Sequence, residues 1–390
     1  MRGRRGGMDR VMQESADIVI IGGGIVGLMT ARYLALEGAD VLLLEAGDLG
    51  AEASGANAGS IHLQIPYPEF AAYGEDWARA YRPCLGFLRQ SLALWTALPD
   101  ELGVDLDARF AGGIIVARTG TQMDRIRAKV EIEAEAGVET EILDRDGLLE
   151  RAPYLSPEAV GGGFCRLEGK ANPLRVIPVL ARTAACAGAR LVTRTRVQDI
   201  ASVRGGHVVV TTRGEVQAGR IVNAAGAAAG RIGTMIGTAL DISGFPLQVT
   251  ITEPVAAMIP HLVYSAGGKL SLKQVANGGC VIGGGWPARE RTDGVLVTDP
   301  ESLAGNMDVA VRIVPALARA RVLRSWTAWV NGTPDWRPIL GEDPDRSDVI
   351  HALFPWVGFS AAPMTARVAA DLALGRPSPV ALRGLSLLYD

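Results

Sequence analysis

Residues 17–47 read DIVIIGGGIVGLMTARYLALEGADVLLLEAG, and this stretch decides the fold. A β-branched run over 18–21 passes into Gly22, Gly23, Gly24, Ile25, Val26 and Gly27. A helical stretch then runs to Glu37, Gly38 stops it, and a second apolar strand over 41–44 ends at Glu45. The unit is βαβ, the context in which a G-x-G-x-x-G match predicts a dinucleotide site. Each glycine has its own reason: Gly22 for the tight turn, Gly24 for backbone approach to a pyrophosphate, Gly27 for close packing of helix on strand. Backbone N–H groups at the helix start then meet phosphate with a favourable dipole. Glu45 is placed to accept ribose hydroxyls, and its charge disfavours the 2′-phosphate of NADP. The bland alternative is a glycine-rich turn without ligand; strand, helix, Gly38 and Glu45 in register argue against it. A second glycine cluster, 283–285, runs into Trp286 and Pro287, where no helix starts, and reads as the end of a sheet strand.

Outward from that unit, the 390 residues are 48% hydrophobic and 21% charged, enough for two or three globular domains. Thirty-nine basic against forty-two acidic side chains leave a net charge of −3, which gives no support to a nucleic-acid binder. The longest apolar run, 18–29, contains four glycines and is too short to span a bilayer. The basic start is followed by Gln13, Glu14, Ser15 and Asp17, with no apolar core of a secretory signal, so residues 1–16 are expected to be a disordered leader, with Met8 or Met12 as alternative starts. Cys84, Cys165, Cys186 and Cys280 form no C-x-x-C pair, which points to a cytoplasmic chain with no zinc or iron–sulfur site of its own.

The spacing alone does not separate FAD from NAD. The next segment does: the small-residue run 50–62, GAEASGANAGSIH, resembles the second FAD-binding stretch of the D-amino-acid oxidase superfamily. The turn 168–173 (EGKANP), the strand at 192–200 and the segment 221–226 (IVNAAG) fall in that superfamily's order. LSLKQ at 270–274, VIGGGWP at 281–287 and WVNGTPDWRPILG at 329–341 resemble the β subunits of opine oxidases and the related D-hydroxyproline dehydrogenase and hydrogen cyanide synthase flavoproteins. The resemblance covers about 17–375. It implies an α/β fold, with a Rossmann-like FAD-binding domain assembled from 17–65, 161–230 and 325–377. An α+β substrate domain with an antiparallel sheet would come from 66–160 and 234–323. It also implies that FAD is held by Gly22, Gly24, Ile25, Val26 and Gly27, by Glu45 and Ala46, by Ser54, Asn57, Ala58 and Gly59, by Val197, Ala225 and Gly226, and by Gly358, Phe359 and Ser360. Two departures stand out. Ala228 replaces an aromatic usual after the AAG, and the turn before the last helix reads FPWVGF at 354–359. Asn57 stands near where a relative carries an attachment histidine, so non-covalent FAD is implied.

Hydride transfer from a carbon next to an amine asks little of the protein beyond orientation, because the cofactor carries the chemistry. Three residues are expected at the reacting end. Lys273, in a strand otherwise uncharged, is a cation for a substrate carboxylate, or else a solvated edge lysine. His62 lines the pocket or is structural, and Trp356 is an aromatic wall or core. The helix beginning near Ser360 is expected to aim its N-terminus at the flavin, where negative charge develops. The leading reading is FAD-dependent oxidation of an amino acid or secondary amine of the opine or imino-acid type. Glycine oxidation of the cyanide-forming kind, a self-sufficient oxidase using oxygen, and a non-catalytic flavin-bearing subunit stay open. The resemblance further implies partner subunits that accept the electrons and carry FMN or an iron–sulfur cluster.

Overall fold

The computed structural model describes residues 12–389. Strand β1 (Met12–Ile21) lies at the centre of an eight-stranded sheet, parallel to β2 (Val41–Leu44) on one side and to the strand Gly214–Asn223 on the other. The parallel strands Arg190–Val192 and Arg346–Leu353 extend it outward. The register places Leu44, Ile21, Asn223 and His351 side by side. The chain leaves β1 toward β2 at that end while its other neighbour arrives from far along the sequence. This is the switch point at which open α/β sheets bind ligands.

Both faces of the sheet are covered, and the period-two alternation assigns them. Ile18, Ile20, Val41 and Leu43 join the helical layer of α1 (Ile25–Leu36), Pro173–Cys186 and Gly358–Ala373. Val19, Ile21, Leu42 and Leu44 pack under an antiparallel meander carrying Val197, Ile200, Val209 and Val216.

A second eight-stranded sheet runs in the order Val322–Gly332, Ser243–Thr252, Cys280–Gly283, Ser271–Gln274, Leu262–Ser265, Gly113–Ala117, Gly161–Cys165, Glu141–Asp144. All its pairings are antiparallel except that of Leu262–Ser265 with Gly113–Ala117. Three expected boundaries therefore move. Strand Gly161–Cys165 and the first residues of 325–377 belong to this second sheet, held by long-range pairing that no local pattern announces. β1 begins at Met12, so residues 12–16 of the expected leader pair with the strand Gly214–Asn223; the remainder of that leader lies outside the described residues. A two-stranded ribbon, Ser60–Ile61 with Gly169–Lys170, ties the small-residue segment to the turn that carries Glu168.

Candidate functional site

Gly22 has φ +115°, and a Cβ there would lie 2.4 Å from the Ala224 carbonyl oxygen. Gly24 is the N-cap of α1 and has no side chain with which to cap it. A Cβ at Gly27 would lie 2.0 Å from the Gly22 oxygen. The turn is thus closed by backbone on backbone, and the start of the helix lines a cavity of about 690 Å³. Ser54 Oγ accepts from Ile25 N at 2.9 Å and joins the small-residue segment to this helix start. Glu45 Oε2 accepts from Gly23 N at 2.7 Å and Oε1 from Gly47 N at 2.6 Å, so the carboxylate is anchored to the glycine loop itself, and each oxygen keeps further acceptor capacity.

The cavity is lined by Gly22, Gly24, Ile25, Val26, Glu45, Ala46, Ser54, Asn57, Val197, Ala225, Gly226, Gly358 and Phe359. A second cavity, of about 650 Å³, is lined by Asn57, Ala58, His62, Ser360 and a set of aromatic side chains. Ala53, Asn57, Val330, Trp356 and Phe359 are common to both walls, so the two are contiguous. Gly27 and Gly59 line neither; they make room beneath the walls. Asn57 holds its loop, donating to Ala53 O and Ser54 O and accepting from Gly59 N at 2.6 Å.

Trp356 has φ +57° and Trp336 φ +71°, and the two rings stack at 4.9 Å. A left-handed conformation is costly for a tryptophan. Gly332 makes room for the arrangement, since a Cβ there would lie 2.5 Å from the Trp356 ring. Trp356 Nε1 is buried without a hydrogen-bond partner among the described residues, an orphan donor on the shared wall. A glycine-lined helix start on the cavity wall, a carboxylate at the end of β2, and an orphan donor between two contiguous cavities fit a dinucleotide with a ring system at one end.

Lys273 departs from expectation on two counts. It is 1% exposed, so it is no solvated edge lysine. Its Nζ donates to Ala171 O at 3.3 Å behind Gly59, on neither cavity wall, because Ser271 occupies the wall position on the same face of the strand. Burial, with Lys170 adding to it, pushes its amine well below the usual lysine range. The lysine at the cavity rim is Lys269, beside Glu69, whose carboxyl burial pushes up to about 7 while Lys269 pulls it down.

His62 does reach the wall. Its backbone N donates to Ser360 Oγ at 2.7 Å, which joins it to the start of the helix Gly358–Ala373, and its Nδ1 is 2.8 Å from Tyr264 Oη. Burial and the Lys273 charge push its imidazole down to about 4. Sequence reasoning does not single out Tyr264, Gln64, Lys129, Trp336 or the side chain of Glu168, all of which line this cavity. The one available signal is an acid, Glu168, at the head of the EGKANP turn.

The profile of the FAD dependent oxidoreductase family, DAO, matches residues 17–372, and the chain belongs to that family. Its fold, its FAD dependence and its class as an enzyme follow from that membership. The opine oxidase B subunit of Rhizobium meliloti is 30% identical over 84% of this chain and 85% of its own length. Glycine oxidase of Geobacillus kaustophilus is 29% identical over 96% of this chain and 97% of its own length. Crystal structures of glycine oxidase from Geobacillus kaustophilus and of L-proline dehydrogenase from P. horikoshii superpose with TM-scores of 0.84 and 0.83, at 26% identity each. They cover 96% and 95% of this chain, and 98% and 96% of their own. Among the described residues no helix is long and apolar enough to cross a membrane.

Proposed function

We propose that the chain oxidises an amino acid or secondary amine of the opine or imino-acid type, by hydride transfer from the carbon next to the amine. The observation that carries this is the second cavity, which meets the dinucleotide cavity at Trp356 and Phe359 and has His62 in its lining. FAD, when bound, supplies the two-electron acceptor. The protein's part is to bind and orient: the helix start of Gly358–Ala373 and the orphan Trp356 Nε1 lie where the walls join, and aromatic side chains exclude water. The likeness to the opine oxidase B subunit supports the opine reading; that to glycine oxidase, over nearly the whole chain, supports glycine as an alternative substrate. Anaerobic mixing with a panel of opines, cyclic imino acids and glycine tests the proposal: an opine or imino acid is expected to bleach the flavin fastest. Bleaching by glycine alone selects the alternative, and bleaching by none points to a non-catalytic flavin subunit.

The cofactor is held non-covalently in this reading, with Glu45 as the ribose acceptor. Glu45→Arg is then expected to lose most of its FAD on gel filtration, because a cation replaces the acceptor and the anchors from Gly23 and Gly47 go with it. A variant that stays as yellow as wild type removes Glu45 from the site.

Electrons leave, we propose, to partner subunits of a cytoplasmic hetero-oligomer that carry FMN or an iron–sulfur cluster. Relatives that are subunits by name, the opine oxidase B subunit and the sarcosine oxidase beta subunit of Arthrobacter sp, support this. Among the described residues no group of His, Cys, Asp or Glu is placed to hold a metal ion. Turnover of the isolated chain with an artificial dye is expected to exceed that with oxygen by about tenfold or more. Stoichiometric peroxide at the same rate makes it a self-sufficient oxidase.

A further inference from the structure

A chain of buried polar groups runs from the wall of the second cavity into the core, and the donor count along it fixes where the hydrogens lie. Glu168 is fully buried. Its Oε1 accepts from Leu63 N at 2.7 Å and Gln64 N at 2.9 Å, and its Oε2 accepts from Gln64 Nε2 at 2.9 Å. The amide of Gln64 is oriented from its other end, where Lys129 Nζ donates to Oε1 at 3.2 Å. Gly113 leaves the space: a Cβ there would lie 1.7 Å from Glu168 Oε2. A carboxylate set among N–H donors is an acceptor only.

Tyr264 Oη is 2.8 Å from His62 Nδ1, and the Glu168 carboxylate acts on the same phenol as a neighbouring acceptor. A phenol has one proton, and burial together with Glu168 raises the Tyr264 pKa well above its usual value, so it keeps it. Donated to a group that only accepts, that proton leaves the phenolic oxygen to accept in turn, and His62 Nδ1 must supply the hydrogen. A neutral imidazole with its hydrogen on Nδ1 carries its lone pair on Nε2. The nitrogen left for a ligand is therefore an acceptor.

We infer that His62 Nε2 accepts the N–H of the substrate amine in its neutral form, and that Tyr264 and Glu168 are positioning residues that hold the imidazole in the tautomer this requires. The inference rests on the amine-oxidation reading above. An ammonium group has no lone pair with which to form the C=N bond as hydride departs. A free secondary amine has one N–H and one lone pair; giving the N–H to His62 fixes where the lone pair points. The C–H electron pair and its hydrogen go to FAD, the oxidant of the family's reaction, and the nitrogen lone pair becomes the second bond of an iminium product. The other charged and titratable groups around His62 favour the neutral amine. Lys273 from the strand Ser271–Gln274 opposes a second positive charge near His62, Lys129 is engaged with Glu133 and Gln64, and Glu69 sits at the rim.

The test begins with a measurement that needs no substrate. In holoprotein labelled with ¹⁵N-histidine, which has four histidines to resolve, the His62 signals are expected to show hydrogen on Nδ1 and a bare Nε2 from about pH 5.5 to 8.5. Tyr264→Phe, which leaves Glu168 its three N–H donors, is expected to release that tautomer. Next, kcat/KM for an amine that bleaches the flavin is expected to rise about tenfold per pH unit up to the amine's own pKa, while kcat stays flat. His62→Phe is expected to lower kcat/KM by about ten- to a hundredfold, and His62→Gln, which keeps an acceptor, to recover part of it. Hydrogen on Nε2 in the wild type overturns the inference whichever amine is oxidised, as does a His62→Phe profile that coincides with wild type. A bare Nε2 in a holoprotein that no amine bleaches overturns the functional reading instead.

Discussion

Gly27→Val is expected to yield a chain that purifies nearly colourless. The position is helical and a valine is tolerated in many helices, so the reason is not propensity but approach: even a methyl at Gly27 would lie 2.0 Å from the Gly22 carbonyl oxygen. That oxygen belongs to backbone and has no rotamer by which to withdraw. Gly22 is itself pinned, because its own missing Cβ is replaced by the Ala224 carbonyl at 2.4 Å. The valine is accommodated only by lifting the start of α1 away from β1, which displaces the N–H groups that face the dinucleotide cavity and parts Ile25 N from Ser54. Overpacking alone costs about 1–3 kcal/mol, and strain against fixed backbone takes the loss to the upper end or beyond. The ratio of flavin to protein absorbance after gel filtration is expected to fall at least tenfold. Gly38→Ala is the control: Gly38 has φ +84° but open space around it, so the variant is expected to lose only about 1 kcal/mol and to keep its FAD. Full flavin content in Gly27→Val means that the turn is not part of the cofactor site.

The β1–α1–β2 unit is legible in the sequence because everything that makes it is local: a strand run, three glycines at fixed spacing, a stop at Gly38, an acid at the end of β2. The second sheet is less so. Strand Val322–Gly332 finds its partner in Ser243–Thr252, and Gly161–Cys165 lies between strands from 113–117 and 141–144, so the expected boundaries at 161 and 325 divide the chain where its motifs change and not where its sheets do. The place of Lys273 is hidden for a related reason. Alternation over 270–275 predicts two unlike faces, but all four residues of Ser271–Gln274 are buried, and nothing in the alternation tells that both faces are covered. The polar chain behind His62 joins Tyr264, 202 residues away, and Glu168, whose contact with Leu63 spans 105. Residue types alone give no hint of such a meeting.

That chain ends in an ion pair, and breaking it is expected to cost more stability than any surface change. Lys129 and Glu133 lie four apart on the helix Gly120–Glu135, their side chains 1% and 0% exposed, with Nζ 2.5 Å from Oε1. Glu133 also accepts from Ile65 N at 2.7 Å and from Thr140 Oγ1 at 3.1 Å. Lys129→Met keeps most of the packing volume but strands a carboxylate in the core, a loss of about 3–5 kcal/mol. The pH dependence has a definite sign. Burial raises the Glu133 pKa above its usual 4.5, and Lys129 pulls it back down. Without the lysine it rises further, so the folded state prefers the protonated acid more strongly than the unfolded chain does. Stability is then fully retained below the unfolded value and lost as pH climbs toward the folded one. Denaturant unfolding should therefore show Lys129→Met closer to wild type at pH 5 than at pH 8. The double variant Lys129→Met with Glu133→Gln, which removes the stranded charge, is expected to recover part of the loss at pH 8 and to abolish most of its pH dependence. A Lys129→Met loss below about 1 kcal/mol at both pH values would mean that water reaches this pair, and that the interior behind His62 is less dry than its burial implies.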